Sequence, residues 1–89
     1  MRVVITVLGT DRVGIIAGVS ATLAEANVNI LDITQTIMQD IFTMIMVVDI
    51  GAATISFEEL DLRLRTKMEV LGLEVRLQRE DIFNSMHRI

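Results

Sequence analysis

The stretch VVITVLGTDRVGI, residues 3–15, contains the transition that decides the fold. Within Arg2–Leu8 the chain is rich in β-branched side chains, which predicts a buried strand, and Gly9-Thr10-Asp11 predicts the turn that ends it. From Val13 onward the apolar residues change to helical spacing, which predicts a first helix that ends near Asn27. The chain therefore begins with a strand that connects through a short loop to a helix.

The rest of the chain continues this alternation. A second strand is predicted over Asn29–Met38 and, after a turn at Gln39-Asp40, a third over Ile41–Ile50. A second helix follows a Ser-x-x-Glu capping box, and a last strand follows Gly72, which suits the left-handed end of a helix. In the second strand, polar residues alternate with apolar ones, as on a sheet with one wetter face: Asp32, Thr34 and Thr36 alternate with Leu31, Ile33 and Ile37. The capping box is formed by Ser56 and Glu59, and the apolar stripe of the second helix consists of Phe57, Leu60, Leu64, Met68 and Leu71. In the last strand, Leu73, Val75 and Leu77 alternate with polar residues.

The order βαββαβ determines the predicted fold class. With right-handed crossovers it gives an α+β, ferredoxin-like sandwich, in which an antiparallel sheet carries both helices on one face. We place this domain in residues 1–79. Residues 80–89 carry apolar side chains at roughly helical spacing and predict a short C-terminal helix outside the domain; these side chains are Ile82, Phe83, Met86 and Ile89.

Length and composition predict a small domain that does not stand alone. The 89 residues suffice for one hydrophobic core, and 52% of them are hydrophobic, a large share for a small monomer. Ile41–Ile50 is apolar at nearly every position, although a two-layer domain covers only one face of a strand. We therefore expect a homodimer or a higher homo-oligomer. The chain has no apolar run of membrane-spanning length and no signal-peptide pattern, so we also expect a cytoplasmic protein without a membrane partner.

The composition disfavours several classes of function. The chain has no cysteine and one histidine, His87, so it offers no thiol nucleophile and no soft metal site. We expect no cofactor and no catalysis, because no nucleophile, base and orienting group occur together. A βαββαβ sheet could also bind RNA. The net charge of −4, and Phe42 as the only aromatic residue of the predicted strands, argue against a nucleic-acid partner.

The connection between the first strand and the first helix is the best candidate for a binding site. A helix that begins there presents unpaired N–H groups and the positive end of its dipole to a carboxylate or phosphate. Gly9 and Gly14 allow close approach, Asp11 can bind an ammonium group, and Asn29 offers a donor and an acceptor. Each also has a purely structural interpretation, with Thr10 or Asp11 as a helix cap, Gly14 as a packing residue and Asn29 as a turn residue.

The loop and the residues after the first helix resemble a known family. Gly-Thr-Asp-Arg-Val-Gly-Ile at residues 9–15, a helix of small residues and then Asn27-Val28-Asn29-Ile30 closely resemble the ACT domain, and the resemblance covers residues 2–79. Leu31-Asp32-Ile33, Phe42-Thr43-Met44 and the C-terminal segment resemble the small stand-alone ACT proteins of the UPF0237 type, which are related to the glycine-cleavage regulators.

The resemblance implies a regulatory module that binds an amino acid or a similar small ligand at a subunit interface near the first loop. By position in the motif, Asp11 and Asn29 become ligand contacts, and the other loop residues shape the site: Gly9, Thr10, Arg12, Val13, Gly14 and Ile15. The family often has proline where this chain has Val13, and valine restricts the backbone angle φ less than proline does.

Two functions of different classes therefore stay open. The first is a non-catalytic, dimeric sensor of a small ligand such as an amino acid. The second is a protein–protein interaction or dimerisation module without a ligand, in which the surplus apolar surface and Glu80–Ile89 bind a protein partner.

Overall fold

A computed structural model describes residues 1–81 and confirms the predicted order βαββαβ. The elements are β1 (Arg2–Thr10), α1 (Ile15–Glu25), β2 (Asn29–Met38), β3 (Ile41–Asp49), α2 (Phe57–Val70) and β4 (Glu74–Arg79). The strands form one antiparallel sheet in the order β2-β3-β1-β4, so β1 and β3 are central and β2 and β4 lie at the edges. The ferredoxin-like class is therefore correct. From residue 82 onward, the predicted C-terminal helix lies outside the described residues.

The hydrophobic core lies between the sheet and the two helices. Alternate residues of the central strands, among them Ile5 of β1 and Met44 of β3, are fully buried there. Full burial of an aliphatic side chain of this size stabilises a fold by about 1.5–3 kcal/mol. The helices contribute Ile15, Val19 and Leu23 from α1 and Leu60, Leu64 and Met68 from α2. The other two residues of the predicted α2 stripe, Phe57 and Leu71, pack against the core but are only partly buried.

The Ser56 cap and the left-handed Gly72 that were predicted for the ends of α2 are both present, whereas the reciprocal bond from the Glu59 side chain that would complete a capping box is not formed. The Ser56 hydroxyl accepts the backbone N–H of Glu59 at 3.1 Å and caps the helix. Glu59 itself accepts a hydrogen bond from Arg63 Nε at 3.3 Å. At the other end Gly72 adopts a φ of 73°, the left-handed conformation that glycine takes with least strain.

β1 extends further than the sequence indicated. Gly9 and Thr10 pair with Phe42 and Ile41 of β3, so both belong to the strand and not to a turn. Pairing with a central strand overrides the poor strand propensity of glycine. The connection from β1 to α1 is consequently reduced to residues 11–14.

Gly9 is needed because the connection between α2 and β4 passes directly over it. A Cβ atom at Gly9 would lie 2.5 Å from Cδ2 and 3.3 Å from Cα of the buried Leu73, and 3.4 Å from the carbonyl oxygen of Gly72. Backbone and a buried side chain both block this position, so neither can move aside cheaply.

We expect Gly9→Ala to lower the free energy of unfolding by about 1–3 kcal/mol, because the added methyl group overpacks this contact. Urea denaturation measures the change. Thr10→Ala is the matched control, since Thr10 is exposed and an exposed substitution shifts stability by no more than about 0.5 kcal/mol. Equal stability of Gly9→Ala and the parent chain would contradict the close approach.

The neighbouring strands β2 and β3 differ in how much apolar surface they leave exposed. β3 buries Phe42, Met44, Met46 and Val48 on its helix side, whereas Ile41 and Ile45 on the other side are 52% and 40% exposed. In β2 all ten residues are exposed, so the drier face that the alternation indicated is absent. A register shift between Ile30 and Asp32 also moves Leu31 out of the alternation. The domain thus leaves apolar surface on β3 and on the whole of β2.

Candidate functional site

The loop between β1 and α1 lies at the end of the sheet where β2 and β3 are joined. The backbone N–H of Asp11 donates to the carbonyl oxygen of Asp40, in the turn between β2 and β3, at 2.7 Å. The Asp11 side chain is exposed and Val13, at the tip, is 97% exposed. The backbone of the loop is anchored while these side chains remain accessible.

Helix α1 begins without a side-chain cap. Its N-cap residue is Gly14 with a φ of 96°, no side chain bonds to the cap, and the first turn contains no acidic residue. The first helical bond in the ladder runs from the N–H of Gly18 to the carbonyl oxygen of Gly14. The interpretation of Thr10 or Asp11 as the cap is therefore wrong. The N–H groups of Ile15–Ala17 precede that bond and have no acceptor within the helix.

Gly14 serves the backbone conformation and not helix packing. Nothing lies within 4 Å of the position that its Cβ would occupy, whereas its φ of 96° is one that residues with side chains rarely adopt. The space beside the Cα atom of Gly14 is consequently open. N–H groups without an acceptor at a helix N-terminus are suited to bind a small anion.

Arg12 has a role that the sequence did not reveal. Its Nη1 donates to the carbonyl oxygen of Leu71, the C-terminal cap residue of α2, at 2.7 Å. A cation at this position also compensates the negative end of the α2 dipole. Arg12 therefore joins the loop to the second helix, and no local pattern could have shown this because the two residues are far apart in the chain.

Asn29 does not belong to the same cluster within one protomer. Asn29 begins β2 and pairs with Asp49 at one end of the sheet. The loop lies at the other end, beside the pair Met38 and Ile41. The pKa of Asp49 is lowered, mainly by the Gly51 N–H, which donates to Asp49 Oδ1 at 2.8 Å, and to a smaller extent by the N-terminal ammonium. The residue paired with Asn29 is therefore a carboxylate. The turn residue of this segment is Asn27 and not Asn29. Asn27 has a φ of 57° and donates through Nδ2 to the carbonyl oxygen of Ala52 at 2.9 Å.

Comparison with known proteins places the fold and this loop in a family. A family model described as the ACT domain matches residues 1–78. The chain belongs to the ACT domain family. A UPF0237 protein of Methanocaldococcus jannaschii is 56% identical over 88 residues, which cover 99% of this chain and 98% of that protein. The resemblance to stand-alone ACT proteins of the UPF0237 type is thereby confirmed.

Two solved structures extend the comparison. An ACT domain protein from Streptococcus pneumoniae is 37% identical, superposes with a TM-score of 0.79 and is matched over 93% of both chains. A putative glycine cleavage system transcriptional repressor is 27% identical with a TM-score of 0.62, over 86% of this chain and 44% of the other. ACT domains are regulatory, ligand-binding modules.

The described part of this ACT domain has three features that bear on metal, membrane and nucleic-acid binding. Residues 1–81 contain no group of three side chains that could hold a metal ion. No helix among those residues is long and apolar enough to cross a membrane. Phe42 lies in the core at 2% exposure, so its ring cannot stack on a nucleic-acid base.

We expect Arg12→Met to destabilise the ACT domain by about 0.5–1.5 kcal/mol, because the Leu71 carbonyl loses its donor while the aliphatic stem is retained. Chemical denaturation measures the loss. Arg63→Met is the control, because Arg63 forms an exposed pair with Glu59 one helical turn away, and such a pair is worth about 0.2–0.5 kcal/mol. A loss for Arg12→Met no larger than the control's would contradict the bridging role.

Proposed function

We propose that this ACT domain is a non-catalytic regulatory module that senses a free amino acid, bound by the loop before α1 at an interface between two copies. The observation that carries the proposal is the uncapped N-terminus of α1, where Gly14 is the N-cap residue and no side chain bonds to the cap. Membership of a regulatory, ligand-binding family supports the same conclusion.

The loop offers complementary groups for both charged ends of an amino acid. The N–H groups of Ile15–Ala17 and the helix dipole suit the ligand's carboxylate. The exposed Asp11 carboxylate, four residues earlier, suits its ammonium group. Arg12 is held towards the end of α2 by the bond from its Nη1 to the Leu71 carbonyl oxygen. A loop that offers groups for both charges favours a zwitterion over a simple anion.

The interface with a second copy is supported by exposed apolar side chains at the same end of the sheet as the loop. Met38 and Ile41, which flank the turn next to the loop, are 68% and 52% exposed. A small domain rarely leaves so much contiguous apolar surface to water unless it binds something there. Asn29, at the far end of β2, can reach a loop only if a second copy supplies it.

The test is a thermal-shift screen of the protein against the standard amino acids. A ligand present at 100 times its Kd adds about 2.7 kcal/mol to the stability of the folded state. For a domain of this size each kcal/mol raises Tm by about 4–8 °C, so the expected shift is about 10–20 °C. We expect one amino acid, or a chemically related group of them, to produce it.

The variant that tests the site is Asp11→Ala, which removes the partner of the ligand's ammonium group and should abolish most of the shift. Glu25→Ala is the matched control. It removes the same charge at the opposite end of α1, where Glu25 is exposed, and should leave the ligand response unchanged. A shift that survives Asp11→Ala would move the site away from the loop.

The competing function is a protein-interaction module without a small ligand, and the fully exposed β2 favours it. If no amino acid changes Tm while the protein still self-associates, the sensor proposal fails and the interaction module is supported.

A further inference from the structure

The sheet has a second face, which points away from α1 and α2 and which we call the open face. Its two ends differ in their exposure to water. At the end near the loop before α1, Leu8 and Ile41 are 43% and 52% exposed. At the other end Val4 is only 3% exposed, although it alternates with the core residues Val3 and Ile5 and so lies on the open face. The helices α1 and α2 cannot cover Val4, because they pack on the opposite side of the sheet.

The chain leaves the sheet at the same end of the open face. β4 ends at Arg79, which pairs with Val3, and the next two residues are helical. The side chain of Glu80 accepts a hydrogen bond from Arg2 Nη1 at 3.4 Å. Arg2 lies two residues before Val4 and therefore on the same face of β1. The helix that begins at Glu80 thus starts beside the open face and next to its buried valine.

The sequence of residues 82–89 suits a helix that packs on an apolar surface. A helix of about ten residues is marginal in water by itself, so it needs such a surface to persist. If the helical conformation of residues 80 and 81 continues, the apolar side chains fall on one side and polar side chains on the other. The apolar side carries Ile82, Phe83, Met86 and Ile89, and the polar side carries Asn84 and Arg88.

The length of this segment matches the width of the sheet. Neighbouring strands lie about 4.8 Å apart, so β3 and β2 lie about 9.6 and 14.4 Å from β4. A helix rises about 1.5 Å per residue, which carries Met86 about 9 Å and Ile89 about 13.5 Å from Glu80. A helix that crosses the strands therefore brings Met86 above β3, where Val47 pairs with Val4.

We propose that residues 80–89 form a helix that lies across the open face of their own sheet and covers Val4 and Val47. The segment is the occupant that suits this surface because it starts there, so its effective concentration is far higher than that of another chain. Leu8 and Ile41 at the other end stay uncovered, which leaves the proposed interface near the loop available. The proposal goes beyond the proposed function and does not depend on it.

The proposal also decides between two roles of the C-terminal segment. In a protein-interaction module this segment would extend from the domain to bind a separate partner. Across the open face, it completes a third layer and removes the apolar side of the segment from water. The partner surface of the chain is then confined to the apolar residues that the segment does not reach.

A pair of cysteines tests the position of the segment in the full chain, which contains no native cysteine. The chain with Val47→Cys and Met86→Cys should lose both thiols under mild oxidation. The bond should lie within one chain, so a non-reducing denaturing gel should show only the mass of the single chain at every protein concentration.

The matched control combines Val47→Cys with Asn84→Cys. Residue 84 lies on the polar side of the same helix, about 160° round the axis from residue 86, so this pair should keep both thiols. Equal oxidation of the two double variants would overturn the proposal. A disulfide between two chains would also overturn it, because the segment would then lie on a second copy.

Amide hydrogen exchange gives a measurement that does not depend on a cysteine. The amides of residues 82–89 should exchange slowly in the parent chain, because a short helix is protected only when it is packed. Phe83→Ser should lose this protection, and Asn84→Ser should keep it. Fast exchange in the parent chain, or an equal effect of the two substitutions, would show that the segment does not cover the sheet.

Discussion

The structure depends on the burial of one face of the two central strands beneath the helices. Ile5 of β1 and Met44 and Met46 of β3 are excluded from water, and the buried sides of α1 and α2 meet them. Each such side chain stabilises the fold by about 1.5–3 kcal/mol, far more than an exposed ion pair. Since this burial fixes where the helices lie, it also determines where the loop before α1 is presented and which strand is left uncovered.

The loop before α1 is held from several directions and still leaves its donors open. Asp11 is anchored through its N–H to the turn between β2 and β3, and Arg12 is anchored to the end of α2. Gly14 then turns the chain into the helix with a positive φ. A site that is already ordered loses little conformational entropy when a ligand binds, so even a small ligand with few contacts can be held. This combination suits a sensor that recognises a molecule as small as an amino acid.

One half of the edge strand β2 is protected against pairing with another strand, and the other half is not. Natural sheets protect their edges with bulges and charged side chains, and here the irregularity at Leu31 and the carboxylate of Asp32 both lie in the first half. The second half has neither device. An edge that is protected along part of its length restricts the alignments in which another strand can pair with it.

The sequence by itself determined the element order, the fold class and the family. Each of these follows from patterns within one segment: the change from strand to helical spacing after residue 12, the Ser56 cap and the left-handed Gly72. The motif at residues 9–15 likewise identified the loop, because its residues are contiguous. The expectation of surplus apolar surface also came from sequence, since composition and the two-sided β3 require it.

Only the tertiary structure decided how distant segments meet. It placed Gly9 in β1 beneath Leu73, bound Arg12 to the end of α2 and separated Asn29 from the loop by the length of a strand. It also showed that β2 lies beyond the cover of the helices, although its alternation is that of a half-buried strand. The physical reason is the same in each case, because these properties depend on contacts between residues far apart in the chain. Periodicity shows only which face of an element is apolar, and it does not show whether another element covers that face.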